Sequence, residues 1–306
     1  MRRDNLTWES EFVLLGLSSD RQTQAGLFVL FAAAYLLTLL GNGLIILLIG
    51  LDARLHLPMY FFLCNLSVMD ICYTSSGVPQ MLVHFLLEKK TISFTQCGAQ
   101  LFFSLALGGT EFLLLAAMAY GCYMAVCAPL CSIAVVSWLI GLVSSVVETV
   151  VMMYLPTCGP NVIDHHFCDS APLLKLSCSD ACYVECMDFF LSLLFMLATM
   201  LLIIVSYILI VAAVLHIPSF SGHQKAFSTC VSHLAVVVLG YGSDIFIYVR
   251  PGKGHFTHFN KVVALMTVVV TPFLNPFIFT FRNEKVKEVI GDMTKSLLLR
   301  DPAARG

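Results

Sequence analysis

Long apolar runs separated by short polar breaks fill most of this chain. Seven runs stand out, at about 27–49, 59–86, 98–123, 132–155, 187–215, 229–249 and 262–281. Each is near the ~20 residues that an α-helix needs to cross the hydrocarbon of a bilayer. Within each run the apolar residues are continuous rather than alternating, which excludes a transmembrane β-barrel. The predicted fold is therefore an all-α membrane protein, a seven-transmembrane-helix bundle. Pro79, Pro156, Pro272 and Pro276 are placed to kink or end helices. Beyond the last run, Val286, Val289, Ile290, Met293 and Leu297 recur at helical spacing, with Lys285, Lys287, Glu288 and Lys295 between them. That pattern predicts a short amphipathic C-terminal helix on the membrane surface. The expected divisions are a polar N-terminal tail at 1–26, a helical domain at 27–281 and a tail at 282–306.

Composition strengthens the membrane reading. Of 306 residues, 58% are apolar and only 12% charged, against about 25% charged in a soluble protein. The lipid bilayer is the first partner implied. Residues 1–20 lack the apolar block of a secretory signal, so the first run is expected to direct insertion. A net charge of −2 points away from nucleic acid. An odd number of crossings puts the two ends on opposite sides. With the N-terminus outside, the 17 Lys and Arg split eight inside and nine outside. The charge rule expects an inside excess, so it does not settle the orientation. The sequon Asn5-Leu6-Thr7 favours an extracellular N-terminus, glycosylated at Asn5. A second sequon at Asn65 lies inside an apolar run and out of reach.

Cysteines point the same way. Cys97, Cys158, Cys168, Cys178, Cys182 and Cys186 cluster in two stretches on the side assigned to the exterior, as suits an oxidising compartment. The even spacing of Cys158, Cys168 and Cys178 lacks the short paired ligands of a zinc site, so no metal is expected. His165 and His166 beside Cys168 are a weaker metal candidate, since loop histidines usually bind none. No cofactor is implied. No catalytic triad, metal-ligand set or phosphate loop appears in a plausible context, so the chain does not read as an enzyme. Nor are there the inverted repeats or paired broken helices of a transporter.

The segment Phe112–Cys127, FLLLAAMAYGCYMAVC, resembles the MAYDRYVAIC signature of odorant receptors, a branch of the rhodopsin-like G-protein-coupled receptors. Met118, Ala119, Tyr120, Tyr123, Ala125 and Cys127 match it. The likeness continues at Gly41-Asn42, at Leu57–Leu63 followed by Asp70, and at Ser206-Tyr207. It extends through Lys225–Cys230, Ser232-His233-Leu234 and Pro272–Ile278. The resemblance implies a multi-pass receptor of the plasma membrane. Such a receptor takes a small-molecule odorant between the third, fifth and sixth helices, under the second outer loop. It signals through a stimulatory heterotrimeric G protein. By the same likeness Cys97 pairs with Cys168 and Cys158 with Cys178; the spacing alone leaves the pairing open.

In the third run, Ser104, Leu105, Gly108 and Gly109 fall on one helix face. The glycines either enlarge a cavity or let another helix approach, and close packing is the commoner use in membranes. Tyr241 and Asp244 share a face in the sixth run. A desolvated Asp244 would favour a cationic ligand such as an amine, while a hydrated Asp244 near the surface would not. Asn42, Asp70, Glu111 and Asn275 are lone polar residues at similar depth, ~9 to 18 Å from the inner helix ends. They are expected to form one polar cluster able to hold a cation; the alternative is that Asn42 and Asp70 simply tie helices together. The resemblance places Asp70 and Asn275 in a state-dependent network.

Two residues depart from the family pattern. Gly121 and Cys122 stand where it has Asp-Arg. Cys122 carries no fixed charge and forms no bidentate ion pair. Gly121 accepts no salt bridge and costs the helix ~1 kcal/mol relative to Ala. Only MAVCAPLC separates Tyr123 from Ser132, without Lys or Arg, so the third and fourth helices are expected to turn at once near Pro129. Tyr123, Lys225, Tyr207 and the seventh-run motif remain. The expectation is a receptor whose fold persists and whose coupling is impaired; the alternative is a degenerate receptor that folds or binds poorly and does not signal.

Overall fold

The computed structural model describes residues 11–124, 128–157, 161–177, 182–215, 230–231, 233–243, 245 and 257–300, with the backbone alone at 121–124, 128–130, 182, 257–260, 281–282 and 296–300. Helix α1 (Arg21–Leu51) opens on Asp20, whose carboxylate accepts the Thr23 N–H at 2.8 Å. This cap satisfies an otherwise unpaired helix-end donor, so α1 starts six residues before the apolar run. The predicted tail boundary at 26 therefore falls inside a helix. α2 (Pro58–Leu86) begins on a proline, which has no N–H to leave unpaired. α3 (Phe94–Met124) and α4 (Ala128–Met153) follow, and Pro129 is the second residue of α4. Short α5 (Ser170–Leu174) precedes α6 (Cys182–Leu215) and α7 (His233–Ser243). α8 (Thr257–Leu265) runs through a π-helical turn (Met266–Val270) into α9 (Thr271–Arg282). Pro272 explains that turn: its ring would collide with the Val268 carbonyl one α-turn back, and the wider turn relieves it. α10 (Glu284–Arg300) ends the described chain.

Five of these segments are long and apolar enough to cross a membrane: Arg21–Leu51, Phe94–Tyr120, Cys131–Met153, Tyr183–Leu215 and Lys261–Thr280. α2 has the length, at 29 residues, but is more polar. Its polar residues are shielded rather than lipid-facing, for Ser67, Asp70 and Thr74 are all buried. α7 is a shorter apolar helix. These elements occupy the seven predicted runs. α3 is the central one: its apolar window is 56% buried, against 22% for α4 and α6. α4 turns Val135, Val136, Leu139, Val143 and Val147 outward, the face a bilayer would cover.

Helix contacts are closest where side chains are smallest. A Cβ on Gly141 would lie 2.2 Å from Thr110 Oγ1 and 2.9 Å from the Ala106 carbonyl, so α4 lies against α3 there. A Cβ on Gly41 would lie 3.0 Å from the Pro276 ring, which seats α1 on α9.

One end of the bundle carries a small sheet that periodicity did not reveal. β1 (Glu11–Leu14) pairs antiparallel with β2 (Thr91–Ser93) and parallel with β3 (Val162–Ile163). Phe12, Leu14, Ile92 and Ile163 turn inward and form a second core with Cys97, Leu101 and Cys168. Residues 11–14 are thus a structural strand, not part of a polar tail. Two lysines counted as loop charges are buried beside it. Lys261 donates to the Gly16 carbonyl at 2.9 Å and pairs with Asp164 at 2.6 Å; Lys90 donates to the Ser18 carbonyl at 3.2 Å. Gly16 has φ +71°, a left-handed turn that glycine adopts without strain.

At the opposite end α10 folds back on the bundle through Val286 and Val289, both buried, with Ile290 and Met293 packed against the main core. Asn283 caps it: Oδ1 accepts from the backbone N–H of Lys285 and Val286 and from the Tyr60 hydroxyl. Leu297 belongs to the predicted apolar face, but its side chain is outside those described. Arg54, in the 3-10 turn Ala53–Leu55, bonds Asp52 and reaches Asp292 of α10 at 2.9 Å.

Candidate ligand-binding cavity

Toward the sheet end, α3, α4 and α6 diverge around a cavity of about 550 Å³. Ser104, Leu105, Gly108 and Gly109 lie along its α3 wall. At Gly108 an added Cβ would meet nothing within 4 Å, and at Gly109 it would only reach Phe195 at 4.0 Å. These glycines therefore open space rather than seat a helix, contrary to the close-packing expectation. The close-packing glycine is Gly141, on the other helix. Phe167 closes the cavity from the loop, beside the Cys97–Cys168 disulfide. Gln100 braces that bridge by accepting the Cys168 N–H at 2.8 Å.

The wall also carries acids. Glu148 of α4 and Asp188 of α6 are neighbours on that wall and interact electrostatically, and Asp169 of the loop interacts with Asp188. Burial raises Asp169 to about 6; the Ser170 N–H opposes the shift and the Asp188 charge adds to it. Above, His165 and His166 stack at 4.4 Å. Burial pushes His165 down to about 4 despite its hydrogen bond to the Phe167 carbonyl. Burial, then the neighbouring His165, holds His166 well below its usual value. Among the described residues no group of three or more metal-ligating side chains could hold an ion.

Three of the central polar residues, Asp70, Asn275 and Glu111, interact with one another, while Asn42 is tied elsewhere. Asn275 Nδ2 donates to both Asp70 oxygens, at 3.1 and 2.9 Å. Asn42 Nδ2 instead donates to the carbonyls of Thr38 and Pro272, each at 3.1 Å. Asn42 thus ties α1 to α9, one turn from the Asp70–Asn275 pair. Glu111 interacts electrostatically with Asp70 and also borders the cavity. Lower on the bundle, the Tyr207 hydroxyl meets His233 Nδ1 at 2.7 Å.

A family description, olfactory receptor, matches residues 31–297. The chain belongs to the olfactory receptor family. It is 48% identical over 298 residues to olfactory receptor 2F1 of Homo sapiens, covering 94% of each chain. It is 47% identical over 309 residues to olfactory receptor-like protein OLF3 of Canis lupus familiaris, covering 96% of this chain and 98% of that one. The crystal structure of squid rhodopsin superposes with a TM-score of 0.68 at 15% identity, over 92% of this chain and 84% of that chain. The fold is thus the seven-helix bundle of rhodopsin-like receptors, and the family is one of receptors rather than enzymes.

In this olfactory receptor the four α3 positions singled out from sequence share one cavity wall, but Tyr241 does not join them. Tyr241 is buried behind Phe112, ring to ring at 4.6 Å, and Phe112 is the one that faces the cavity. Among the described residues α4, and not α7, lines the cavity beside α3 and α6. Asp244, Asn5, Lys225, Cys158 and Cys178 lie outside the described residues. Thr157 and Ser177, next to those two cysteines, pair as an isolated antiparallel bridge. Gly121, Cys122 and Tyr123 fall in the last turn of α3, where the backbone alone is described. Sequence reading passed over Glu148, although a lone acid in an apolar run is the same signal that drew attention to Glu111.

Proposed function

We propose that this chain is an odorant receptor of the plasma membrane with impaired coupling to its G protein. The cavity carries the reading: it is of ligand size, mostly apolar, and lined by Ser104, Leu105, Gly108 and Gly109 in a chain of the olfactory receptor family. A small volatile molecule is the ligand class that this space and the family name suggest. The sheet end is the extracellular end, with Asn5 glycosylated, Cys158 bonded to Cys178, and 1–20 as the external segment. Residues 21–282 span the bilayer, and α10 with 283–306 is cytoplasmic. The Cys97–Cys168 bridge at the sheet end supports that orientation, since disulfides persist in oxidising compartments.

Coupling is weak or absent because the cytoplasmic turn of α3 carries Gly121-Cys122 in place of a charge pair. The α3–α4 connection is too short and uncharged to offer another contact surface. Tyr207, Tyr123, Lys225 and the Pro272–Ile278 motif remain. Retention of the Asp70–Asn275 pair and the Tyr207–His233 bond favours a folded, non-signalling receptor over one that fails to fold. A cAMP assay over an odorant panel tests this, run on surface-expressed wild type beside Gly121→Asp/Cys122→Arg. The expected result is equal surface levels with odorant-evoked cAMP in the revertant alone. Strong cAMP from the unaltered chain would remove the coupling claim, and loss of surface delivery in both would favour the poorly folding alternative.

A further inference from the structure

The described cavity wall carries acidic groups and no basic one. Among its described lining residues are Glu111, Glu148, Asp169 and Asp188, and none is Lys, Arg or His. The sequence agrees, for no Lys or Arg occurs from Thr91 to Leu174. Glu148 Oε1 and Asp188 Oδ1 are each shut off from solvent and receive no N–H or O–H from any described group. Carboxyl oxygens so placed are costly unless a donor or cation meets them. They lie on the α4–α6 side of a cavity whose lining is otherwise mostly apolar, including Leu105, Val151, Leu191 and Phe195.

We propose that the Glu148–Asp188 carboxyl pair makes this cavity a site for small cationic ligands, protonated aliphatic amines above all. The ammonium sits between the two carboxyl groups, with Asp169 adding negative potential from the loop. The hydrocarbon lies along the α3 wall, where Gly108 and Gly109 leave room. An ammonium has three donors and no acceptor, so it satisfies both oxygens at once. An alcohol brings one donor and no charge, and a carboxylate is repelled. The proposal rests on the cavity being the odorant site and specifies the ligand's chemistry there.

Binding, not signalling, tests it. The full chain in lipid nanodiscs is titrated with hexylamine, hexan-1-ol and hexanoate, following ligand-induced thermal stabilisation. Wild type is compared with Glu148→Gln/Asp188→Asn and with Gly109→Leu, which fills the cavity. Hexylamine is expected to bind about 30-fold or more tighter than hexan-1-ol, the lower end for a desolvated charge pair. The double amide variant should bring the two within about threefold while hexan-1-ol binding holds, which also shows that the variant is folded. Gly109→Leu should weaken both. If amine and alcohol bind alike in wild type, or the amine preference survives in the double variant, while Gly109→Leu still weakens both, the cationic site is overturned and the cavity reading stands. If no probe binds, or Gly109→Leu changes nothing, both are overturned.

Discussion

Tyr207 and His233 are joined by a 2.7 Å hydrogen bond that closes a relay across three helices. On its other side the His233 ring places Nε2 3.0 Å from the Leu115 carbonyl of α3. A carbonyl only accepts, so Nε2 carries the proton and Nδ1 accepts from the Tyr207 hydroxyl, whose proton the Cys230 carbonyl shares at 3.2 Å. One imidazole thereby holds α6 and α7 to α3, in the half of the bundle where the α3 charge pair is missing.

Removing that hydroxyl leaves a buried ring nitrogen without a donor. Tyr207→Phe is expected to cost about 1–3 kcal/mol, read as a lower melting temperature of the purified receptor. His233→Ala and the double variant complete a cycle. The losses should be clearly less than additive, because both remove the same bond. Additive losses would show that the relay is not a unit.

Gly141 and Gly108 should respond in opposite ways to the same methyl group. At Gly141 it would press on Thr110 and on the Ala106 backbone, so Gly141→Ala should lose several kcal/mol or fail to reach the surface. At Gly108 the space is open, so Gly108→Ala should express normally and only shrink the cavity. Surface expression of the two variants side by side decides it; equal expression would contradict the helix spacing described here.

Acid should weaken the fold through the loop histidines. His165 titrates at about 4 when folded, against ~6.5 in an unfolded chain. Between those values the unfolded state binds more protons, so stability is full above about 6.5 and falls as pH drops toward 4. For His165 alone this amounts to roughly 3 kcal/mol, and His166 shifts in the same direction. Asp169, raised to about 6, acts oppositely: the folded state holds its proton between the ordinary ~3.9 and 6, which favours folding on acidification. The His165 contribution is isolated by a variant: the change in melting temperature between pH 7 and pH 5 is expected to be more favourable to the folded state at pH 5 in His165→Asn than in wild type. An identical pH dependence in the two would overturn the assignment.

Arg54 joins the turn after α1 to α10 through Asp292, with Glu288 at 3.5 Å. Its side chain is 45% exposed, so salt should weaken the link. Arg54→Ala is expected to speed amide exchange along α10 while leaving the buried helices unchanged, and added salt should narrow the difference. Unchanged exchange in α10 would mean that Val286, Val289 and the Asn283 cap hold it without the ion pairs.

Several site residues were visible in the sequence because lipid imposes a simple rule. A polar residue in an apolar run must face the protein interior, so Asn42, Asp70, Glu111 and Asn275 were legible, as was the α3 stripe at helical spacing. Their partners were not. Asn42 bonds Pro272 rather than joining Asp70, a choice fixed by which helix faces α1 at that level. The strand at 11–14 escaped notice because its pairing partners lie about 80 and 150 residues away in the chain.

Hydrophobic continuity alone determined the number of helices, their order and the amphipathic tail, because each span must satisfy its own backbone in lipid. The motif residues supplied the family and exposed the Gly121-Cys122 departure. Only the tertiary structure decided which glycine opens space and which seats a helix, and that Glu148 and Asp188 are neighbours on the cavity wall. Those facts depend on distances between helices, and chain periodicity fixes the faces of one helix at a time.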